Sequence, residues 1–152
     1  MSEGRDPAAI AREIIDANLY MVLGTADEAG RPWAAPLYFA ESGYREFFWV
    51  SRPERRHSRN LAERNEVSIV IFDSTVPINM GGGVYMAAVA RELGPDEWTD
   101  PLAVYSRRAI AHGGGELGPD DVSPPAPLRL YQASAVDQYV LDENDDRLPV
   151  SL

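Results

Sequence analysis

An aromatic strand and a group of basic side chains adjoin in the middle of the chain. The apolar run 47–50 ends at Ser51, and Arg55, Arg56 and His57 follow within six residues. Guanidinium and imidazole N–H groups make charge-assisted hydrogen bonds to phosphate oxygens, and a guanidinium can pair with two oxygens at once. The residue types and their spacing therefore predict a binding site for a phosphomonoester.

The same segment carries the signals of a helix start. Ser51 and Glu54 have the spacing of a capping box, and Pro53 suits a first helical turn. A helix that begins here turns its unpaired amides and the positive end of its dipole toward the mouth of the preceding strand. The competing interpretation is a solvated helix face, with the arginines in weak pairs with Glu54 or Glu63. The position directly after a strand favours anion binding.

Several chemistries are excluded by composition. The chain has no cysteine, so thiolate metal sites and cysteine nucleophiles are impossible and redox chemistry needs a bound cofactor. His57 and His112 lack metal-ligand spacing, and we predict no metal site. Every basic residue is arginine, which excludes a Schiff-base lysine. No G-x-S-x-G elbow is present to support nucleophilic hydrolysis.

Length and charge limit the class of protein and its partners. The 152 residues predict one domain, 1–152, with a single core. A net charge of −10 disfavours a nucleic-acid partner. No apolar run approaches the ~20 residues that span a bilayer, so no membrane partner is expected. The polar N-terminus lacks the features of a secretion signal, and we expect a cytoplasmic protein.

Turn signals divide the chain into short strands and a few helices. Residues 113–127 are rich in glycine and proline and predict a mobile connector. The pattern as a whole predicts a mainly β, α+β fold: a small antiparallel barrel with helical additions. Helices are predicted at 6–18, after Ser51, and at 95–112 with a break or kink at Pro101, and strands at 20–25, 33–40, 46–50, 67–72, 84–93, 128–131 and 138–141.

Taken in order, these segments resemble the flavin-binding split barrels related to pyridoxamine 5'-phosphate oxidase. The resemblance runs from about residue 19 to 93, with a weaker echo at 128–141. The first residues that carry the resemblance are 21–25, Gly30-Arg31-Pro32 and 36–39. Between 47 and 72 the resemblance lies in the order of the segments: an aromatic strand, a serine, the basic cluster, Asn65 and an apolar strand.

The resemblance implies a site for FMN between a strand end, a helix start and the backbone of a second strand. Arg56 and His57 occupy places where the family usually has an arginine and a lysine. His57 is thus a departure, and it is either a phosphate donor or a surface residue. The implied cofactor-binding residues are Trp49, Val50 and Ser51 at the strand end, Arg55, Arg56 and His57 in the basic cluster, and Pro36, Leu37 and Tyr38 in the second strand.

The implied activity is that of an FMN-dependent oxidoreductase acting on a small-molecule substrate or electron donor. The resemblance also implies a homodimer, with FMN in clefts between the subunits. Oxidation of pyridoxamine phosphate itself is not expected, because no histidine follows His112 to form the C-terminal arginine–histidine pair of that enzyme. No catalytic acid or base is assigned, and Tyr38, Tyr85 and Tyr105 are candidates by residue type alone.

Two alternatives stay open at this stage. A branch of the same family binds a deazaflavin, whose acidic tail Arg52, Arg55 or Arg59 could contact. A non-catalytic flavin carrier is the other alternative. It is motivated by His57 and by the glycine that replaces a glutamine often found before the strand at 84.

Overall fold

The computed structural model describes residues 4–152, which form eight strands and three α-helices. Short 3-10 turns at Pro95–Glu97 and Pro119–Asp121 flank the last helix. In chain order the elements are α1 (Pro7–Ala17), β1 (Tyr20–Ala26), β2 (Pro32–Tyr38), β3 (Ala40–Ser42), β4 (Glu46–Ser51), α2 (Arg56–Glu63), β5 (Glu66–Phe72), β6 (Gly83–Glu92), α3 (Thr99–Ala111), β7 (Arg129–Leu141) and β8 (Arg147–Pro149).

The strands form one antiparallel sheet in the order β2-β1-β5-β6-β7-β4-β3, with β8 added to β7. Only Phe39 separates β2 from β3, yet β2 pairs with β1 and β3 pairs with β4. The unpaired edges of β2 and of Trp49–Ser51 therefore diverge from Phe39, and we call the gap between them the split. The predicted α+β split barrel is confirmed.

Two apolar clusters lie on opposite faces of β4. Phe47 and Trp49 point into the main core, which the sheet forms with α1. Phe48 points the other way and packs with Leu102 of α3 in a second cluster. The alternation of side chains along β4 thus gives the strand one barrel face and one face covered by α3.

Two of the predicted helices have the expected place in the chain. Asp6 caps α1 by accepting the N–H of Ala8 at 3.3 Å. The predicted break at Pro101 is wrong, because α3 begins at Thr99 and proline falls in its first turn. A backbone N–H in that turn has no partner within the helix, so the missing donor costs nothing there.

The predicted capping box at Ser51 and Glu54 is also wrong. Ser51 is the last residue of β4, and a turn follows in which the N–H of Arg55 donates to Arg52 O at 3.2 Å. The helix α2 starts at Arg56, and no side chain in the described part of the chain caps it. Ser51 stays in the ladder because it pairs with Arg129 on β7.

The two strands predicted near the C-terminus are one strand, β7. The sequence 133–135 contains only small residues, which give no apolar alternation to recognise. Those residues nevertheless pair with β6, where the register shifts between Ala87 and Ala88. Within residues 4–152 no helix is both long and apolar enough to cross a bilayer.

Candidate functional site

Exposed arginines surround the start of α2 at one end of the split. Arg55 is the residue before the first turn, and the Arg56 guanidinium carbon lies 4.4 Å from the ring centroid of Trp33 on β2. Both arginine side chains are exposed. The backbone N–H groups of the first turn, residues 56–58, have no acceptor among residues 4–152. This end of the split therefore offers two cations and free amide donors.

His57 points in the opposite direction, into the protein. Its side chain is 8% exposed, and Nε2 lies 2.8 Å from Ser51 Oγ. Burial, and then the positive charge of Arg55, lower the pKa of His57 below its usual value. The imidazole is therefore neutral at neutral pH, and its contact with Ser51 holds α2 against the end of β4.

A second polar contact fixes α2 from the other side. The buried Asn60 amide donates to Thr25 Oγ1 on β1 at 3.1 Å. Leu61 of the same helix packs into the main core. With its inner face held at two strands, α2 presents its first turn in a fixed position beside β2.

A groove of about 440 Å³ lies beneath α3 and borders the split. Val50 and Tyr38 reach it from β4 and β2, so two of the predicted residues meet there. Tyr105, Ala109 and His112 supply the helical wall. The remaining lining consists of residues 114–117 and Leu128. We call this the α3 groove.

An aromatic cluster borders the α3 groove. The Tyr38 ring lies edge-on to Tyr20, Tyr105 and His112, with centroid distances of 5.9, 5.8 and 6.3 Å. Burial, followed by the neighbouring phenols of Tyr38 and Tyr20, raises the pKa of Tyr105 to about 12. Tyr105 therefore keeps its proton throughout the physiological range.

The hydrogen bonds of His112 determine its tautomer. Nδ1 lies 2.9 Å from Arg108 O and 3.1 Å from Tyr38 Oη. A carbonyl oxygen only accepts, so Nδ1 carries the proton and donates it to Arg108 O. Nε2 makes no hydrogen bond to any residue from 4 to 152, so in the neutral ring its lone pair is open to a ligand.

The remaining predicted residues have different surroundings. Trp49 is fully buried in the barrel and stacks on Tyr131 at 5.8 Å, and its indole N–H has no partner in the described chain. Leu37 is partly buried against the main core, and Pro36 is exposed on β2. The structure thus brings Arg55 and Arg56 to the start of α2, and Val50 and Tyr38 to the α3 groove.

The start of α2 and the α3 groove are separated along β2. Trp33, which contacts Arg56, and Tyr38, which lines the groove, are five residues apart, which is about 17 Å at the rise of an antiparallel strand. Between them one edge of β2 pairs with no strand of residues 4–152, which leaves its backbone donors and acceptors open. The exposed cations at α2 and the open backbone edge of β2 are groups that suit a phosphorylated cofactor.

Sequence reasoning did not find two residues of this site. Trp33 was treated only as part of a strand, and His112 as a residue near a helix end. The contact between His112 and Tyr38 joins positions 74 residues apart, and no local sequence pattern predicts it. Only the packing of α3 against β3 and β4 brings them together.

The chain is similar to several solved structures. It matches a heme binding protein from Mycobacterium smegmatis with a TM-score of 0.77 and 19% identity, over 97% of this chain and 59% of that one. It matches an F420 reductase with a TM-score of 0.63 and 17% identity, over 91% and 98% of the two chains. A FAD-binding protein from Mesorhizobium loti matches with a TM-score of 0.64 and 17% identity, over 88% and 92%.

At these identities the likenesses establish the fold alone. This chain also spans only about three fifths of the length of the M. smegmatis protein. No curated protein matches the sequence. The family model described as pyridoxamine 5'-phosphate oxidase, in contrast, matches residues 9–135, which is most of the chain. The protein therefore belongs to the pyridoxamine 5'-phosphate oxidase family.

Proposed function

We propose that this protein is an FMN-dependent oxidoreductase that holds its cofactor in the split and acts on a small-molecule substrate or electron donor. The observation that carries the proposal is the uncapped start of α2, where exposed Arg55 and Arg56 stand beside the open edge of β2. Such a helix start is a good site for a phosphate group.

Each part of the split has a role in holding the cofactor. Arg55, Arg56 and the free amides of α2 bind the phosphate. The backbone of 36–38 hydrogen-bonds the polar edge of the ring system, and Val50 contacts its apolar part. The bound flavin supplies hydride or electron transfer, while the protein supplies position and electrostatics.

His57 supports the phosphate site without facing it. Its neutral imidazole bonds Ser51 and so keeps the first turn of α2 beside the split. The fixed positive charge comes from the arginines. This arrangement explains how the chain can dispense with the lysine that the family usually has at this place.

A deazaflavin is the alternative cofactor for the same split. The exposed arginines at 52, 55, 56 and 59 form a wider cationic surface than one phosphate needs, and a deazaflavin carries a longer acidic tail. The similarity to an F420 reductase supports keeping this alternative. The two cofactors differ in mass and spectrum, so the bound molecule distinguishes them directly.

A homodimer is part of the proposal. On the outer face of the sheet an open depression of about 830 Å³ is lined by residues of β1, β2, β5, β6 and β7, among them Gly24, Ala34 and Ala87. Its border carries exposed apolar side chains, including Trp33 at 42% and Val136 at 58%. Small residues at the centre and apolar residues around them suit close contact with a second copy.

The phosphate site is tested by titrating FMN into cofactor-free protein. Arg56→Ala removes one charged hydrogen-bond donor and is expected to weaken binding by about 1.5–3 kcal/mol. Arg107→Ala is the matched control, since Arg107 is an exposed arginine on α3. Equal affinity of Arg56→Ala and the wild type would contradict the proposal, whereas loss in the Arg107 variant as well would indicate a nonspecific effect of charge.

Heme is a second candidate ligand, favoured by His112. Its Nε2 lone pair is free and its Nδ1 proton is held by Arg108 O, which is how proteins commonly orient a metal-binding histidine. The similarity to a heme binding protein supports testing it. A hemin titration followed by its Soret band, repeated with His112→Ala, checks this candidate. A hemin spectrum that His112→Ala leaves unchanged would rule out heme binding through His112.

A further inference from the structure

We propose that Trp33 is a positioning residue of the phosphate site. Its indole ring holds the guanidinium of Arg56 in place and leaves the N–H groups of that guanidinium free for the phosphate. The inference rests on the proposed function, in which Arg56 binds the phosphate of FMN. It adds a residue that acts on the phosphate through Arg56 alone.

The Trp33 ring is the one partner of the Arg56 side chain in the described part of the protein. The guanidinium carbon lies over the ring, 4.4 Å from its centroid, which is the shortest of the four contacts between a cation and a ring in residues 4–152. The guanidinium makes neither an ion pair nor a hydrogen bond with any residue from 4 to 152. Its N–H donors are therefore open to a ligand.

An aromatic face suits this task better than a carboxylate would. A guanidinium packs on a ring through cation–π attraction, which is strongest for tryptophan, and it uses none of its in-plane N–H groups to do so. A carboxylate partner would occupy those N–H groups and would repel the phosphate. Trp33 is 42% exposed, so the ring lies at the surface, where a phosphate can approach Arg56.

Hydrogen bonds fix the ring and the guanidinium relative to each other. On the helix that carries Arg56, the amide of Asn60 donates to Thr25 Oγ1 at 3.1 Å. Thr25 pairs with Trp33 in the ladder between β1 and β2, and its hydroxyl donates to Trp33 O at 3.4 Å. Asn60 and Thr25 are both buried, so this connection is shielded from water. Because the two partners are already in place, binding of a phosphate costs less conformational entropy.

The test measures the affinity of cofactor-free protein for FMN and for riboflavin, which lacks the phosphate. Trp33→Leu removes the aromatic face but keeps an apolar side chain, and it should weaken FMN binding about fivefold while leaving riboflavin binding unchanged. Trp33→Phe restores a ring and should bind FMN within about twofold of the wild type. Equal FMN affinity of Trp33→Leu and the wild type would overturn the proposal.

Riboflavin also controls for the position of Trp33 at the border of the depression on the outer sheet face. A weakened contact between two copies would reduce the affinity for both flavins, whereas a lost phosphate contact reduces the affinity for FMN alone. Equal losses for FMN and riboflavin in Trp33→Leu would therefore overturn the proposal.

A double-mutant cycle shows whether Trp33 acts through Arg56. Once Arg56→Ala has removed the guanidinium, Trp33→Leu should cause no further loss of FMN affinity. Arg55 provides the matched comparison, because it is an exposed arginine at the same helix start with no ring partner in residues 4–152. In an Arg55→Ala background, Trp33→Leu should still weaken FMN binding about fivefold. Additive losses from Trp33→Leu and Arg56→Ala would overturn the proposal.

The same measurements separate this inference from the proposed function. If Arg56→Ala binds FMN as tightly as the wild type, the phosphate site is wrong, and both the proposed function and the role of Trp33 fail. If Arg56→Ala loses affinity for FMN and Trp33→Leu does not, the role of Trp33 alone fails.

Discussion

At the scale of single residues, the pair of Ser51 and His57 connects the start of α2 to the barrel. The imidazole is buried and its hydrogen bond to Ser51 is 2.8 Å long. A buried donor or acceptor that loses its partner costs about 1–3 kcal/mol. The position of α2, and therefore of Arg56, depends on this contact.

The lowered pKa of His57 predicts a pH-dependent stability. Below the ordinary pKa of 6.5 the unfolded chain binds a proton at His57 before the folded protein does. The free energy of unfolding should therefore fall as the pH drops through this region, and the full contribution should be present above it. Urea unfolding of wild type and His57→Gln at pH 8, 7, 6 and 5 measures the difference.

The other histidine provides the control for that experiment. His112→Gln removes the other, exposed imidazole, and the loss of stability on acidification should persist in this variant because His57 is unchanged. If His57→Gln loses as much stability on acidification as the wild type does, burial of His57 is not the cause.

Residue types alone allowed part of the site to be predicted. Arg55 and Arg56 could be placed near a helix start because charge and position in the chain are local properties. The direction of His57 could not, since an imidazole next to two arginines looks like a surface residue until Ser51 is seen to hold it. The proton on His112 likewise depends on Arg108 O and Tyr38.

At the scale of elements, α3 creates the groove and is held by its own apolar cluster. Leu102 is 4% exposed and packs with Phe48 and Leu130 below the helix. Trp98 adds a hydrogen bond from its indole N–H to Leu93 O at 3.0 Å. These contacts are separate from the main core, so α3 can loosen without collapse of the barrel.

Leu102→Ala is expected to destabilise the protein by about 2–5 kcal/mol, the usual cost of a cavity in a core. Hydrogen exchange followed by mass spectrometry should show faster exchange in α3 than in β5 and β6. Leu19→Ala, at a side chain 39% exposed, is the matched control and should cost much less. Equal loss of protection across the barrel would mean that the second cluster is not independent.

The elements differed in how far the sequence could define them. α1 was predictable because Asp6 and Pro7 are strong local signals. β7 was predicted as two strands because the small residues around Ala133 and Ala135 show no apolar alternation. Only pairing with strands on both sides keeps the chain extended there. The start of α2 was misplaced because Ser51 is held by the sheet instead of the helix.

At the scale of the whole molecule, the proposed dimer predicts a sensitive position at the centre of the outer sheet face. Ala87 is exposed there, opposite Ser68 on β5. Ala87→Arg should shift the protein from dimer to monomer at low micromolar concentration, because a large charged side chain cannot be buried between two copies. Sedimentation equilibrium measures the shift.

Ala103→Arg, on the exposed side of α3, should remain a dimer under the same conditions. A wild-type protein that sediments as a monomer while holding flavin would contradict a cleft shared between subunits. A dimer that Ala87→Arg leaves intact would assign the contact to another surface.

Membership of the family determines the fold. It does not determine which cofactor would bind, because structurally similar proteins include heme-, FAD- and F420-related ones. The most direct test is the visible spectrum of the untreated purified protein, with mass spectrometry of the molecule it releases. We predict a flavin spectrum with near one FMN per subunit. A protein that is colourless and takes up no FMN, or one that carries heme alone, would contradict the account.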